Sequence, residues 1–388
     1  MKIGIVLPSV PGYSETFFTS KIKGLQANGF EVVLFVNNFS TKTNLNCSIF
    51  VAPRFSKNKI KNSFISLYCF IKVLILHFNK VQKLYSLDKK DDLSFSTRIK
   101  SIIINSHILS QKLDWLHFGF GTMALDRENV AAAIGAKMAV SFRGFDIGIY
   151  PIKHPNCYNK TWKNADKIHV ISDDIEALVL KYGFKEKHKI EKITPAIDVN
   201  YFHTNQLERN NNKFITVARL NWKKGLDYTL EALSILHKKG IDFQYTIIGD
   251  GIERERLEFA VHQLGLTMNV IFLGKISAKA VKEEMEKATY YIQYSLQEGF
   301  CNAVLEAQAM GMVCIVSDAE GLSENVINNE TGFVVPKRNP ELLASKIVEV
   351  LAISEIEKLA LIKQAIERIK TNFTIENQVN QFVDFYKN

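Results

Sequence analysis

No two cysteines in this chain stand at C-x-x-C spacing, and their number is odd: Cys47, Cys69, Cys157, Cys301 and Cys314. That argues against a disulfide framework and a cysteine-based zinc site, and it fits reduced thiols in a cytoplasm. No metal-ligating cluster is legible. Long apolar runs are missing too. The greasiest stretch, Phe64 to Phe78, is interrupted by Lys72 and falls short of the roughly 20 residues a spanning helix needs. The expectation is a chain not integral to a membrane. The first apolar stretch, Ile3 to Val10, has no basic run before it and no cleavage site after it, so it reads as a strand and not as a signal peptide. No repeat of solenoid length is present.

What is present is an ordinary globular balance over 388 residues, with 47% apolar and 23% charged. That length suits two cores better than one. The net charge is +9, unevenly placed: residues 1–200 carry 28 Lys/Arg against 16 Asp/Glu, and residues 201–388 carry 21 against 24. A basic first half suggests an anionic partner such as a membrane surface. A Lys-rich solubilising surface is the bland alternative. Nucleic-acid binding would rest on charge alone, since no recognition motif accompanies it.

Short β-rich runs alternate with helix-length segments throughout. The runs are Lys2–Leu7, Glu31–Val36, Trp115–Phe120, Lys137–Phe142 and Lys167–Ile171 in the first half. In the second they are Lys213–Ala218, Gln244–Gly249, Val270–Leu273, Tyr290–Tyr294, Val313–Ser317 and Phe333–Val335. Most are continuous hydrophobic runs, the mark of parallel strands covered on both faces. Between them lie segments such as Gly225 to Lys239, with Leu226, Leu230, Leu233 and Leu236 at near 3.6 spacing and a stop at Gly240. The fold class is therefore α/β, with two doubly wound, Rossmann-like parallel-sheet domains in series. The polar stretch Asn200–Asn212 divides them. We expect an N-terminal domain over 1–200, a C-terminal domain over 201–370 and a terminal helix over 371–388 that packs back on the first.

Open parallel sheets bind ligands beyond the carboxyl ends of their strands. After Tyr290–Tyr294 come Glu298, in the loop, and Glu306, about one turn into the next helix. Asn302 suits an N-cap and Gly311 a C-cap. The helix N-terminus offers free N–H groups to a phosphate, and two carboxylates at its rim suit vicinal hydroxyls. The bland alternative makes both glutamates ordinary surface charges. After Lys213–Ala218, Arg219 stands at the strand end and Lys223-Lys224-Gly225 precede a helix. A guanidinium and an ammonium there would neutralise a diphosphate leaving group. The loop Pro8 to Thr16, containing Gly12 and the candidate N-cap Ser14, looks like a phosphate-cradling turn without a G-x-G-x-x-G or Walker pattern. Arg143 and Asp146 follow another strand end. Gly249-Asp250-Gly251 reads as a tight turn.

Together these residues resemble the GT-B retaining glycosyltransferases called group 1, or family 4, of the bacterial surface-polysaccharide type. The residues that carry the resemblance are Glu298-Gly299-Phe300 through Leu305-Glu306-Ala307 to Gly311, then Ser317 and Gly321-Leu322-Ser323-Glu324. They continue with Val217-Ala218-Arg219 and Lys224-Gly225, Ile248-Gly249-Asp250-Gly251 and Phe272-Leu273-Gly274. Ser14-Glu15-Thr16-Phe17 and His117-Phe118-Gly119 add a looser match in the first half. The resemblance implies two domains facing a cleft, with the acceptor bound by the first and a nucleotide sugar by the second. It implies that Glu306 binds the donor ribose, that Glu298 binds the transferred sugar, and that Arg219 and Lys224 grip the pyrophosphate. It places Gly12 near the diphosphate, the backbone of Phe300, Cys301 and Asn302 at the donor sugar, and Lys275 and Ile276 at the base. The co-substrate it implies is a UDP- or GDP-sugar, with no metal required.

Two positions depart from the family pattern. Arg143 stands where many members have His, and it cannot act as a general base near neutral pH. Cys301 stands where many have Gly. Both bear on the identity of the donor sugar. The expected reaction is transfer with retention to an acceptor hydroxyl, with a lipid-linked glycan in polysaccharide assembly as the acceptor. The site would be cytoplasmic, or peripheral on the inner face of the cell membrane. The segment Lys57 to Lys90 would lie near that acceptor, or else form a buried core helix. A soluble acceptor, a sugar-nucleotide epimerase, a phosphorylase and a non-catalytic sugar-nucleotide binder stay open as alternatives.

Overall fold

A computed structural model of the chain describes residues 1–12, 16–38, 45–204 and 212–388. Ser14 and Glu15, and the Asn210-Asn211 part of the linker, lie outside the described residues. The chain divides into two units: Met1–Ile193 with Gln378–Asn388, and Thr194–Asn377.

The first unit is built on a seven-stranded sheet. Its strands are β1 (Lys2–Ser9), β2 (Glu31–Asn38), β3 (Ser48–Val51), β4 (Trp115–Phe118), β5 (Lys137–Phe142), β6 (Lys167–Val170) and β7 (Ile190–Lys192), in the order β3-β2-β1-β4-β5-β6-β7. Every pairing is parallel. The central strands β1, β4 and β5 are buried almost along their length, as their unbroken apolar runs require. Helix α1 (Thr16–Ala27) follows β1. Helices α2 (Lys59–Leu76) and α3 (Phe78–Lys90) follow β3. The end of the C-terminal helix Ile375–Lys387 belongs to this unit: Trp115 Nε1 donates to the Tyr386 carbonyl at 3.0 Å and Lys167 Nζ to that of Phe385 at 2.8 Å.

The second unit holds a six-stranded parallel sheet of β8 (Lys213–Val217), β9 (Gln244–Ile248), β10 (Val270–Gly274), β11 (Tyr290–Gln293), β12 (Val313–Ser317) and β13 (Phe333–Val335), ordered β10-β9-β8-β11-β12-β13. The helix Leu226–Lys238 buries Leu226, Leu230, Leu233 and Leu236 in a core with Phe214, Tyr245 and Ile292. On the other face, Val304, Ala307 and Met310 pack with Ile215, Tyr291 and Val316. From Pro340 onward the described chain is helical apart from short breaks.

The eleven runs read from sequence are all strands. β3 and β7 are additional. They are four and three residues long, lie at the two edges of the first sheet and have no fully buried residue, so they lack the apolar run that marks the others.

Candidate functional site

In the second sheet the strand order turns back between β8 and β11. At such a point the connections leave in opposite directions, and open parallel sheets bind ligands beyond the carboxyl ends of the strands there. Arg219, Lys224 and Glu298 all lie on the two loops that flank it.

The loop after β8 is zipped to the loop after β9. Ala218 N donates to the Ile248 carbonyl and Leu220 N to that of Asp250, both at 2.9 Å. Gly249 permits this approach: it holds φ +132°, and a side chain there would run into the Ala218 carbonyl. Arg219, between the two bonds, is left exposed. The chain then makes a 3₁₀ turn over Trp222–Lys224 and enters the helix Leu226–Lys238 through Gly225, at φ +59°. A Cβ on Gly225 would collide with the Tyr294 carbonyl, so glycine lets this turn lie directly against the end of β11. Leu296 N donates to the Lys223 carbonyl at 2.7 Å and ties the loops together.

That junction sets Lys224 Nζ in a charged hydrogen bond with Glu298 Oε2. Both side chains are about five-sixths buried, at 16% exposure each. Burial alone would lower the Lys224 ammonium, but Glu298 outweighs it and holds the amine above its ordinary value. Lys223 goes the other way, lowered by desolvation and by its cationic neighbours Arg219 and Lys224 against the pull of Glu298. Beneath the pair runs a polar ladder. Tyr291 Oη donates to Gln293 Oε1 at 3.1 Å, Gln293 Nε2 to Ser295 Oγ at 2.8 Å, and Ser295 Oγ to Glu298 Oε2 at 3.4 Å.

The rest of the Glu298 loop is clamped from β12 and beyond. Ser317 Oγ donates to the Ser295 carbonyl at 2.5 Å. Asn325 accepts from Cys301 N at 3.0 Å and donates to its carbonyl at 3.1 Å. Phe300 is buried and packs on Phe373. The helix Asn302–Ala309 follows, capped by Cys301 backbone with no side-chain cap. Asn302 is therefore the first helical residue and not the N-cap, because Asn325 already fixes the Cys301 peptide in the extended cap conformation. At the other end Met310 is the C-cap, and Gly311 sits one residue beyond it at φ +69°.

Glu306 lies in the second turn of this helix. Its carboxyl makes no hydrogen bond or ion pair among the described residues, and desolvation raises it from 4.5 to about 7. Burial, reinforced by the Glu298 charge, pushes the Cys301 thiol up to about 12, so it carries no thiolate at neutral pH. Lys275 and Ile276 follow β10, and their loop is held beside β9 by Gly249 N donating to the Gly274 carbonyl at 2.9 Å.

Gly12, Arg143 and Asp146 belong to the first unit. Asp146 is buried, and its oxygens take the backbone N–H groups of Gly121, Arg143 and Gly144, each at 2.9 Å. Its observed work is to shape the turns after β4 and β5. The Arg143 guanidinium lies 3.7 Å from the Phe17 ring centroid and 4.8 Å from that of Phe18. Sequence reasoning did not single out Asn325, Gln293 or Ser295 as site-forming residues. Asn325 reaches back 24 positions, and nothing in its local pattern signals that.

Residues 200–368 match the model of the family described as glycosyl transferases group 1. The chain is 26% identical over 267 residues to the putative colanic acid biosynthesis glycosyltransferase WcaL of Escherichia coli, covering 66% of each chain. It is 25% identical over 268 residues to the amylovoran biosynthesis glycosyltransferase AmsK of Erwinia amylovora, covering 66% of this chain and 65% of that one. The match thus spans slightly less than two thirds of these relatives' length. Among solved structures, Anabaena Alr3699/HepE in complex with UDP and glucose superposes with a TM-score of 0.74 at 15% identity, over 100% of this chain and 99% of that one. Two parallel-sheet α/β units of this kind are the GT-B fold. Over residues 200–368 the chain is similar to the group 1 glycosyltransferases.

Proposed function

We propose that the chain transfers a sugar from a nucleoside diphosphate donor to an acceptor hydroxyl with retention of anomeric configuration. The observation that carries this is the Lys224–Glu298 pair at the β8/β11 switch point, with Arg219 beside it and Glu306 left without a partner on the following helix. An ammonium has three donors. Lys224 can keep Glu298 and still donate to a phosphate oxygen, which ties the sugar and the leaving group into one geometry. Glu298 accepts from the transferred sugar's hydroxyls, and Glu306 from the ribose. Relatives and structural neighbours support the reading: two are named as colanic acid and amylovoran biosynthesis glycosyltransferases, and one structure holds UDP and glucose.

In the proposed reaction the bond from the anomeric carbon to the β-phosphate oxygen breaks. The acceptor oxygen bonds to that carbon from the same face, and its proton passes to the departing phosphate oxygen. Arg219, Lys224 and the N-terminus of Asn302–Ala309 take up the charge that develops on the leaving group. No side-chain base is required. The acceptor is a lipid-linked glycan in polysaccharide assembly, reached at the cytoplasmic face of a membrane.

Hydrolysis and thermal stabilisation across a panel of UDP- and GDP-sugars identify the donor. With that donor, Arg219→Ala and Lys224→Ala each lower kcat by about 10²–10³, with a smaller rise in KM, because the contact strengthens as the bond breaks. Unchanged kcat in both variants refutes the assignment. Epimer released from donor without any acceptor replaces transfer with epimerisation.

A further inference from the structure

Helix α2 is turned inside out. Of its eighteen residues Val73 alone is buried, and the side that looks away from the unit is the apolar one. Ile60, Phe64, Leu67, Ile71 and Ile75 fall within an arc of about 80° at 100° per residue. All five are exposed, Ile60, Phe64 and Ile75 by 70% or more. Tyr68 widens this face, Leu76 and Phe78 are exposed at the bend that follows it, and Phe55 precedes it, also exposed. The opposite side, toward the protein, carries Asn62, Ile65, Ser66 and Cys69 beside Val73, with Phe70 and Leu74 partly covered along one edge. This settles one choice left by the sequence: Lys59–Leu76 is not a buried core helix. Ordinary monomers do not leave a stripe of this kind uncovered without a use for it.

The charge around the stripe has one sign. Between Glu31 and Asp88 the sequence has no acidic residue and eight cations: Lys42, Arg54, Lys57, Lys59, Lys61, Lys72, Lys80 and Lys83. Lys57, Lys59 and Lys61 cluster at the start of α2, and Lys72 stands on its exposed flank. The helix does not continue as a straight span. At His77 the chain bends by 111° into α3, and no single described helix is long and apolar enough to cross a membrane. α3 then buries Val81, Leu84 and Asp88 in the unit, which anchors the end of α2.

We propose that α2 lies in the plane of an anionic lipid bilayer. Ile60, Phe64, Leu67, Ile71 and Ile75 enter the headgroup boundary, and the lysines at its start and flank meet lipid phosphates. An apolar face alone would fit a second copy of the chain equally well. A second copy would bring the same cations against themselves, whereas an anionic lipid surface complements both the grease and the charge. The inference does not depend on which sugar, if any, the second unit transfers.

The test uses the full chain with phosphatidylcholine vesicles and with vesicles in which about a third of the lipid is phosphatidylglycerol. Co-sedimentation is expected with the anionic vesicles, falling as salt rises and unaffected by millimolar inorganic phosphate. Phe64→Ser with Ile71→Ser lowers vesicle affinity at least tenfold. Lys59→Gln with Lys61→Gln lowers it by about tenfold or more, since each cation near the surface contributes about 1 kcal/mol. Phe64→Trp gives a blue-shifted emission that brominated lipids quench. Each variant must keep the parent's unfolding temperature and its donor-nucleotide affinity, the latter read separately so that failure of the transferase reading is not mistaken for failure here. No binding to anionic vesicles overturns the proposal. So does binding that survives both double variants, or a self-associated chain that Phe64→Ser with Ile71→Ser converts to monomer without changing vesicle affinity.

Discussion

Glu306 shows how one residue can report on ligand chemistry. Desolvation holds its carboxyl at about 7, and nothing in the protein compensates. Ribose hydroxyls donating to it would favour the ionised form. Binding then expels a proton, and affinity weakens as pH falls below about 7. The expected outcome is that donor-nucleotide affinity drops by up to tenfold per pH unit over that limb in the parent. In Glu306→Gln the limb is absent and affinity at pH 8 is lower. Calorimetry in two buffers of different ionisation enthalpy counts the proton. The variant also cancels any titration of the nucleotide's own phosphate. If parent and variant share one pH profile, Glu306 does not hold the ribose. The sequence offered both glutamates and both cations of this site, because each follows a strand end. It did not offer the pairing of Lys224 with Glu298. That contact arises where Gly225 lies against the Tyr294 carbonyl, an approach between residues 69 positions apart that no local spacing encodes.

At the scale of elements, the end of the C-terminal helix is held to the first unit by a buried chain of hydrogen bonds with one allowed direction. A carbonyl only accepts, so His169 Nε2 donates to Ile193 O at 2.9 Å. His169 Nδ1 then accepts from Ser141 Oγ at 2.7 Å, and Ser141 accepts from His117 Nε2 at 2.7 Å. His117 Nδ1 is left to accept from Tyr386 Oη at 2.5 Å, with Lys21 Nζ at 3.3 Å. Tyr386→Phe removes a donor from a fully buried ring nitrogen and is expected to cost about 1–3 kcal/mol. Denaturant unfolding followed by tryptophan fluorescence measures it. A Tyr386→Phe chain as stable as the parent would show that apolar packing alone docks this helix. The same scale shows what patterning can reveal. The eleven strands were legible because parallel strands must be apolar on both faces. The edge strands β3 and β7 were not, since few of their residues need burial. The apolar content of α2 was visible in the sequence, but which face it would show to water was not. Composition is the same for a helix packed into a core and for one facing outward.

At the scale of the whole molecule, the two units carry opposite responses to acid. In the first, burial holds His117 and His169 well below their ordinary value of 6.5. Burial aided by the Arg127 charge lowers His107 to about 3. The unfolded chain binds protons at these positions below 6.5 while the folded unit does not, so the first unit loses stability as pH falls through 6.5 and continues to lose it below. In the second, Glu306 is raised from 4.5 to about 7. There the folded state binds the proton first, so this group adds stability as pH falls from about 7 toward 4.5. The expected result is two thermal transitions that separate between pH 7.5 and 5.5, with the first unit melting earlier in acid. Tryptophan fluorescence distinguishes them. Trp115 and Trp162 are buried in the first unit, and Trp222, in the second, is already half exposed, so the emission change follows the first unit, while calorimetry sees both. Glu306→Gln, neutral at every pH, should raise the second transition at pH 7.5 and abolish its climb as pH falls, without moving the fluorescence midpoint. A fluorescence midpoint that holds steady while the calorimetric second transition falls would reverse the assignment. A single merged transition at every pH would mean that the units unfold as one, and that these opposing groups contribute to a common balance.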